Sequence, residues 1–253
     1  MIENNFKSSL RESFNKSSLK YEKYALIQKI IGEKLIEFFL NLENNYNLPC
    51  PATGLDLGSG NGMMSSEMLK IMNFKKIHLV DFSDKMIEVS KKKIKANNVS
   101  FEVNDFEKFK NFQDFNFIFS NLSLHWSEEF NLFFTNIIES MPKNGIFLFS
   151  TPSIISLKSK NKTIPQNDLI NKFPDLKKCL KALNKKSFFY VHKFFTVKEK
   201  FKNLLNFLLN FKKIGVNIKR NRHYENLFSI RRNNSRIDVT YKVNFVFIKK
   251  IEN

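Results

Sequence analysis

Glycine is scarce in this chain, and its distribution constrains the fold more than any other feature. Only seven of the 253 residues are glycine, and four of them, Gly54, Gly58, Gly60 and Gly62, lie in T-G-L-D-L-G-S-G-N-G at 53–62. Glycine accepts positive φ and lets a ligand approach the main chain closely. An apolar strand that leads into such a turn and then into a helix predicts a nucleotide-binding site at the carboxyl end of a parallel sheet.

The spacing of these glycines narrows the choice of ligand. The dinucleotide fingerprint G-x-G-x-x-G would need its last glycine at position 63, which is Met63. The observed G-x-G-x-G, with Asp56 two residues before its first glycine, resembles motif I of the class I S-adenosylmethionine (SAM) methyltransferases. The alternative is a tight turn without a ligand, although a bare turn needs one glycine rather than three.

The length of 253 residues is typical of one large domain. The apolar share of 42% is enough for that domain to bury a core. The first ten residues are polar and no apolar run follows them, and no stretch of about 18 apolar residues occurs, so we expect neither a secretion signal nor a membrane span. The two cysteines and four histidines lie in unrelated contexts without the spacing of metal ligands. We therefore expect a cytoplasmic protein without a metal, and a monomer.

The net charge of +18 is confined to one part of the sequence. Residues 1–157 contain 18 basic and 18 acidic residues, whereas residues 158–253 contain 24 basic and 6 acidic ones. Such an asymmetry indicates an acidic partner. The alternative is drift in a sequence rich in Lys, Asn, Ile and Phe, but drift alone should not leave the first 157 residues balanced.

Short apolar strands alternate with helical patterns from residue 53 onward, which predicts an α/β fold with a parallel sheet. The predicted strands are 53–57, 77–81, 100–103, 115–120, 146–150, 216–219 and 239–248, the last of them antiparallel. The predicted helices are 21–42, 63–72, 83–96 with Ser83 as its N-cap, 132–141, and 197–211 with Gly215 as its stop signal. We interpret residues 152–195, with their prolines and lysines, as a lid inserted over the carboxyl ends of the strands.

These elements predict a Rossmann-like, seven-stranded class I methyltransferase sheet in a single domain that spans 1–253. Its parts are an N-terminal helical segment at 1–48, a SAM-binding core at 49–151, the lid at 152–195, and the rest of the sheet at 196–253.

The resemblance to class I methyltransferases assigns roles to residues at the strand ends. Asp56 would help to hold the SAM amino group, and the glycines at 58, 60 and 62 would leave room for the methionine part. Asp81 ends the second strand, where a carboxylate can accept both ribose hydroxyls. Its alternative role, capping the next helix, is already served by Ser83 and Asp84.

Three further positions fit the rest of the cofactor and the reacting methyl group. Met86 would pack on the adenine ring, or it is a core methionine of its helix. Asp105 fits an acceptor for the adenine amino group, with the backbone of Phe106 beside it. Asn121 follows the fourth strand, where it would line the cofactor and substrate site, or it caps its own loop.

The flanking segments carry a more selective resemblance. Tyr21, Ala25 and Gln28, with Phe14 upstream, match the N-terminal Y-x-x-x-A-x-x-Q helix of the malonyl-[acyl-carrier-protein] O-methyltransferases of biotin synthesis. S-N-L-S-L-H-W at 120–126 resembles that family's S-N-L-A-L-Q-W. F-S-T at 149–151, L-N-F-K-K-I-G-V-N at 209–217 and V-T-Y-K-V at 239–243 extend the match nearly from end to end.

The resemblance implies transfer of a methyl group from SAM to the free carboxylate of a malonyl thioester on an acidic acyl carrier protein. Tyr21 would hydrogen-bond that carboxylate, or it packs its helix onto the sheet. Lys158 lies near the position of a family arginine and could pair with the carboxylate, although it lacks the bidentate fork. The sequence departs from the family at Asn61, which replaces a threonine, and at His125, which replaces a glutamine.

Other classes of protein fit parts of the same pattern. S-L-H-W also resembles methyltransferase-like proteins that assist respiratory complex I assembly, some of which hydroxylate arginine, but these do not need the Y-x-x-x-A-x-x-Q helix. A nucleic-acid methyltransferase would account for the charge, although the amino-methylating tetrad (D/N)-P-P-(Y/F/W) is absent after the fourth strand. A SAM-binding module without catalysis is the third alternative.

Overall fold

The computed structural model describes residues 3–46, 48, 51–159, 162–164, 173–216 and 235–251. Within these ranges eight strands form one sheet, seven of them in the order β3-β2-β1-β4-β5-β8-β7, with the short β6 paired to β5. The strands are β1 Thr53–Leu57, β2 Lys76–Asp81, β3 Val99–Val103, β4 Phe117–Asn121, β5 Ile146–Ser159, β6 Lys162–Thr163, β7 Phe188–Phe201 and β8 Ile237–Lys250. The helices are α1 Glu3–Ser17, α2 Tyr21–Tyr24, α3 Leu26–Tyr46, α4 Met63–Ile71, α5 Asp84–Lys93, α6 Phe130–Ser140, α7 Leu176–Ala182 and α8 Leu204–Lys213.

The predicted fold class is confirmed. Strands β1 to β5 are parallel to one another, and β8 lies antiparallel between β5 and β7. The strand order reverses at β1, which has β2 on one side and β4 on the other. In an open parallel sheet this reversal opens a crevice outside the carboxyl ends of the strands, and ligands bind there.

The sheet is buried on both faces by aromatic and aliphatic side chains. Along β4, Phe117 and Phe119 pack with α3 and α4 on one face, while Ile118 packs toward α6 on the other. Along β5, Phe147 and Phe149 face the α6 side, and both are fully buried. Continuous apolar runs of this kind are typical of central parallel strands, since helices cover both of their faces.

The first five predicted strands and the helices between them are confirmed, with ends that differ by no more than three residues except at the end of β5. The predicted N-cap of α5 is also confirmed, because the Ser83 hydroxyl accepts a hydrogen bond from the Met86 N–H at 3.1 Å. Gly215 has φ +79° just after α8, as expected of a helix stop signal.

The interpretation of 152–195 as a lid is wrong at both of its ends. Strand β5 does not stop at Ser150 but continues to Ser159, and β7 occupies Phe188–Phe201. Beyond the carboxyl edge of the parallel sheet, β5 pairs with the first half of β8, and that half pairs with β7. We call this three-stranded part, 151–159 with 194–201 and 237–244, the antiparallel ribbon; it extends about 30 Å at the usual rise per residue.

The proline and lysines that suggested a loop are compatible with the strands of this ribbon. Pro152 lies at a register shift of β5, where a strand tolerates a residue that lacks an N–H. Strand β7 is the sheet edge, and exposed lysines on an edge strand oppose pairing with another chain. The predicted helix 197–211 therefore begins only at Leu204, where Asn203 caps α8. The predicted strand 216–219 lies outside the described residues except for Val216.

The N-terminal segment is more divided than its sequence suggested. The single helix predicted for 21–42 is broken at Ala25 into α2 and α3, and α1 precedes them. Helix α1 was not predicted, because its polar sequence lacks a clear apolar period. No helix in the described ranges is long and apolar enough to cross a membrane.

Candidate active site

A cavity opens at the carboxyl edge of the sheet above β1, β2 and β4, where the topology places a binding crevice. Its empty volume is about 870 Å³, which includes the open solvent at its mouth. The lining comes from the glycine turn, from the loops after β2, β3 and β4, and from α1 to α4. The lining residues are Lys7, Leu10, Phe14, Tyr21, Gln28, Asp56, Gly58, Ser59, Gly60, Asn61, Met63, Met64, Asp81, Phe82, Met86, Asp105, Phe106, Phe119, Asn121, Leu122, Ser123 and Trp126.

The glycines of the turn after β1 serve different purposes. A Cβ atom on Gly60, which has φ +55°, would meet no other heavy atom within 4 Å, so this position leaves the main chain open to a ligand in the cavity. A Cβ atom on Gly62, with φ +71°, would lie 2.2 Å from Ser90 Oγ. Gly62 therefore allows α4 to begin close against α5, and it does not line the cavity, contrary to its predicted role beside the cofactor.

Two buried carboxylates meet the cavity at the ends of β1 and β2. Asp81 accepts hydrogen bonds from the N–H groups of Gly60 and Ser83, each at 2.8 Å, which ties the glycine turn to the second strand. Asp56 accepts a hydrogen bond from the Ser65 hydroxyl on α4. Each Asp81 oxygen has one backbone donor, so each keeps a lone pair for a ligand.

Burial controls the ionisation of this pair. It raises the pKa of Asp56 to about 7, and the charge of Asp81 adds to that increase against the hydrogen bond from Ser65. Burial also raises the pKa of Asp81 to about 6, opposed by its two backbone donors. Two acidic groups that are desolvated in one cavity are best satisfied by a cationic ligand with hydrogen-bond donors.

Asp105 lies at the cavity wall after β3, and it already has two partners. Its Oδ1 accepts from the Glu107 N–H at 3.1 Å and so caps a 3₁₀ turn at Phe106–Lys108. Its Oδ2 accepts from the Lys7 ammonium, which also pairs with Glu107. Phe106 and Met86 both line the cavity and are buried.

Helix α1 covers this side of the cavity, and sequence reasoning missed it. Besides Lys7, its residues Leu10 and Phe14 line the cavity, and the Phe14 ring packs edge-on against Trp126 at 6.2 Å. Asn15 on the same helix hydrogen-bonds the side chains of Ser83 and Asp84 at the start of α5. The only signal that could have found these contacts was the repeat of Leu10 and Phe14 at a spacing of four.

Asn121 lines the cavity, but both ends of its side-chain amide are engaged. Its Nδ2 donates to the Gln28 carbonyl at 2.9 Å, and its Oδ1 accepts from the Ser150 hydroxyl at 2.7 Å. The residue therefore connects α3, β4 and β5. Gly32 makes this approach possible, because a Cβ atom there would lie 2.9 Å from Asn121 Nδ2 and 1.9 Å from Met64 Sδ.

The hydroxyl of Tyr21 lines the cavity and makes no hydrogen bond to any described residue, and the buried Ser59 hydroxyl of the same cavity also lacks a partner. Burial raises the pKa of Tyr21, and the nearby charge of Asp81 raises it further, so the phenol keeps its proton. Gln28 lines the same cavity two helical turns away. Tyr21 and Gln28 thus belong to the same sequence pattern and line the same cavity. Ala25, which lies between them in the sequence, is fully buried.

Lys158 is not part of this site. It is exposed on the antiparallel ribbon, eight residues beyond Ser150, where it is paired in register with Asp238 of β8. Strand β5 was expected to end at 150, which would have let a following loop fold back over the cavity. Because the strand continues, it carries Lys158 away instead, and no catalytic role follows for this residue.

Comparison with protein families identifies the chain. The family described as "Methyltransferase domain" matches residues 52–211, which include β1 to β5, the glycine turn and most of α8. The chain belongs to this methyltransferase family. The match begins at the first strand, so α1 to α3 are outside the part that the family describes.

Curated relatives of this methyltransferase carry a more specific name. Malonyl-[acyl-carrier protein] O-methyltransferase 2 of Ilyobacter polytropus is 29% identical over 216 residues, which is 83% of this chain and 81% of the relative. The enzyme named malonyl-[acyl-carrier protein] O-methyltransferase 2 in Coxiella burnetii is 25% identical and covers 99% of both chains. The resemblance found in the sequence motifs is thereby confirmed. Among solved structures, the YcgJ protein from Bacillus subtilis matches 84% of this chain and 97% of its own, with a TM-score of 0.55 and 13% identity, which supports the fold alone.

The cofactor of this methyltransferase is S-adenosylmethionine, and the cavity fits it. Gly60 leaves room beside the main chain, and the buried Asp56 and Asp81 match the donors and positive charge of that cofactor. Within the described ranges, no three or more His, Cys, Asp or Glu side chains form a group that could hold a metal ion.

Proposed function

We propose that this methyltransferase esterifies the free carboxylate of a malonyl thioester on an acyl carrier protein, as an early step of biotin synthesis. The observation that carries the proposal is Tyr21, whose unengaged hydroxyl lines the cavity beside the glycine turn and belongs to the Y-x-x-x-A-x-x-Q pattern. The names of the relatives from Ilyobacter and Coxiella support the same acceptor. The proposal also retains the cytoplasmic location expected from the sequence.

The proposed cofactor contacts follow the ends of the strands. Asp81 uses its free lone pairs for the ribose hydroxyls, and Asp56 holds the amino group through water or main chain. Met86 and Phe106 lie on the adenine side, where Asp105 accepts the adenine amino group in competition with Lys7. The methionine part contacts the main chain of Gly60. A side chain at this position would occupy the space that the cofactor needs.

The cofactor supplies a methyl group on a positively charged sulfur, which is a good leaving group. The acceptor carboxylate has an ordinary pKa near 4, so it is ionised at neutral pH and needs no general base. The residues of this chain therefore have to position the acceptor and exclude water. Tyr21 donates a hydrogen bond that orients the carboxylate, Asn121 holds α3 against β4 and β5, and α1 covers the site.

The excess of positive charge in the last 96 residues supports a protein-bound acceptor. Carrier proteins are acidic, and complementary charge speeds the encounter of two proteins more than it strengthens the final complex. All residues that line the cavity lie within the charge-balanced residues 1–157, so we expect SAM binding itself not to depend on this excess.

Mass spectrometry of the acyl group tests the proposal. The protein is incubated with SAM and a malonyl carrier protein, and the acyl group is expected to gain the mass of one methyl group. After the acyl group has been released from the carrier, alkali should remove that mass as methanol, since the product is a methyl ester. An acetyl carrier protein is the matched control, because it offers the same surface without the free carboxylate. A methyl group on the acetyl control or on the carrier polypeptide would refute the proposed acceptor.

A further inference from the structure

The surface beside the cavity is both basic and apolar. It is formed by the short helix α2, the turn before it, and the C-terminal end of α8. We call it the α2–α8 face and define it by six residues: Leu19, Lys20, Lys23, Tyr24, Lys212 and Lys213. All four lysines are exposed, and Leu19 is 85% exposed.

Helix α2 connects this face directly to the cavity. It is a single turn of four residues, of which Tyr21 lines the cavity. Lys20 and Lys23 flank Tyr21 in the sequence and are exposed to solvent. A partner bound to the outer side of α2 is therefore separated from the cavity by the thickness of one helical turn.

The end of α8 is held against α2 and α1. The Lys213 ammonium lies 4.4 Å from the centre of the Tyr24 ring, and Lys23 approaches the same ring at 5.8 Å. A Cβ atom on Gly215 would lie 2.9 Å from atoms of Phe14 and Ser17, so the chain after α8 packs directly on α1. The lysines of two sequence-distant helices are thus brought together on one surface.

The four lysines have no ion pair with any described carboxylate. Neighbouring lysines do have acidic partners: Lys16 pairs with Glu12, and Lys93 pairs with Glu22 at 2.6 Å. Glu22 is the acidic residue of α2, and its pairing with Lys93 leaves the charge of the face uncompensated. Exposed apolar area surrounded by uncompensated charge is typical of a binding surface rather than of ordinary solvated surface.

We propose that the α2–α8 face is the docking site of the acyl carrier protein. This inference rests on the proposed function and names the surface that serves it. The charge of the face complements an acidic partner, the exposed Leu19 offers an apolar contact beside Lys20, and α2 places the docked protein next to Tyr21. A thioester arm that leaves the carrier at this surface has a short path into the cavity.

Binding of the carrier protein without a malonyl group tests the docking site independently of the chemistry. Fluorescence anisotropy with a labelled holo carrier protein compares the wild-type protein with the double variant Lys212→Glu/Lys213→Glu. The control is Lys75→Glu/Lys76→Glu, two exposed lysines at the amino edge of β2, opposite the cavity. Both variants change the net charge equally.

We expect the α2–α8 variant to bind about tenfold more weakly than wild type, and the control to remain within about twofold. We also expect binding to weaken with salt in the wild type and to depend less on salt in the variant. An equal loss in both variants would overturn the proposal, since it would show an effect of total charge. Undiminished binding by the variant would overturn it as well, and so would binding of a short single-stranded RNA in place of the carrier.

Failure of the proposed function and failure of the proposed docking site give different results. If the holo carrier binds at this face but its malonyl form is not methylated, the docking site stands and the proposed acceptor is wrong. If the malonyl form is methylated and the lysines do not matter, the acceptor stands and the docking site is wrong.

Discussion

The parallel core of this methyltransferase and its antiparallel ribbon share one sheet, and they differ in almost everything else. Strands β1 and β4, and β5 up to Ser150, are buried on both faces, and the carboxyl ends of β1 and β2 hold the glycine turn and the two buried aspartates. The ribbon continues beyond that edge with an exposed edge strand, and the residues after 157 carry the whole charge excess. Every residue that lines the cavity precedes residue 157, so the cofactor site is built from the charge-balanced part of the chain, and we propose the basic part for a macromolecular partner.

The largest expected effects come from exchanging the glycines of the core turn. Gly62→Ala should lower the free energy of unfolding by about 2–4 kcal/mol, because a left-handed residue is strained and its Cβ would overlap Ser90. Gly60→Ala should cost only about 1–2 kcal/mol, from the strain alone, yet it should weaken SAM binding. Chemical denaturation measures the free energy of unfolding of both variants, and calorimetric titration measures their affinity for SAM. If Gly60→Ala binds SAM normally, the open main chain at Gly60 is not the cofactor site.

The next effect concerns the cofactor affinity of the core. Asp81→Ala should weaken SAM binding by about 1.5–3 kcal/mol, since it removes hydrogen bonds to a charged acceptor. Asp114→Ala is the control, because Asp114 is exposed and does not line the cavity. Calorimetric titration that gives the same SAM affinity for Asp81→Ala and the control would assign Asp81 to the turn alone, where it accepts from Gly60 and Ser83.

A smaller effect is expected where the N-terminal helices meet the core. Tyr21→Phe should lower methyl transfer about tenfold through loss of one hydrogen bond to a carboxylate, with SAM affinity unchanged. Tyr46→Phe, at the end of α3, exposed and outside both the cavity and the α2–α8 face, should retain wild-type turnover. Steady-state kinetics with the malonyl carrier protein measure the rate of methyl transfer of both variants. Equal rates for both variants and the wild type would leave Tyr21 only its packing role.

A separate effect, on the protein as a whole, is the dependence of stability on pH. Asp56 and Asp81 have pKa values of about 7 and about 6 in the folded protein, above the ordinary value near 4. Between pH 4 and 7 the folded state therefore binds more protons than the unfolded state, so this contribution to the free energy of unfolding falls as pH rises and levels off above pH 7. Asp56→Asn should flatten the profile obtained from denaturation at several pH values. An unchanged slope would show that Asp56 ionises normally.

Sequence reasoning predicted the core well because its signals are local. The glycine turn, the apolar runs of β1 to β4 and the Ser83 cap each depend on a few adjacent residues, and all of them occur where expected. Of the expected cofactor residues, all but Gly62 line one cavity. Gly62 has the same backbone conformation as Gly60, and only its packing against Ser90 distinguishes the two.

The ribbon and α1 escaped prediction because their structure depends on contacts between distant parts of the chain. Pro152 and the lysines of β7 argue locally against strands, and only pairing with β8 over many residues offsets that preference. Lys158 was misassigned for the same reason. Helix α1 is held by Lys7, Phe14 and Asn15, whose partners lie more than 60 residues away in the sequence.

A competition for the methyl group tests the central claim most directly. The wild-type protein is given limiting SAM with an isotopically labelled methyl group, together with equal amounts of malonyl carrier protein, acetyl carrier protein and RNA. We expect the label to appear on the malonyl group as an ester and to remain absent from the acetyl group, the carrier polypeptides and the RNA. Label on the RNA or on a carrier polypeptide, with an unlabelled malonyl group, would contradict the account.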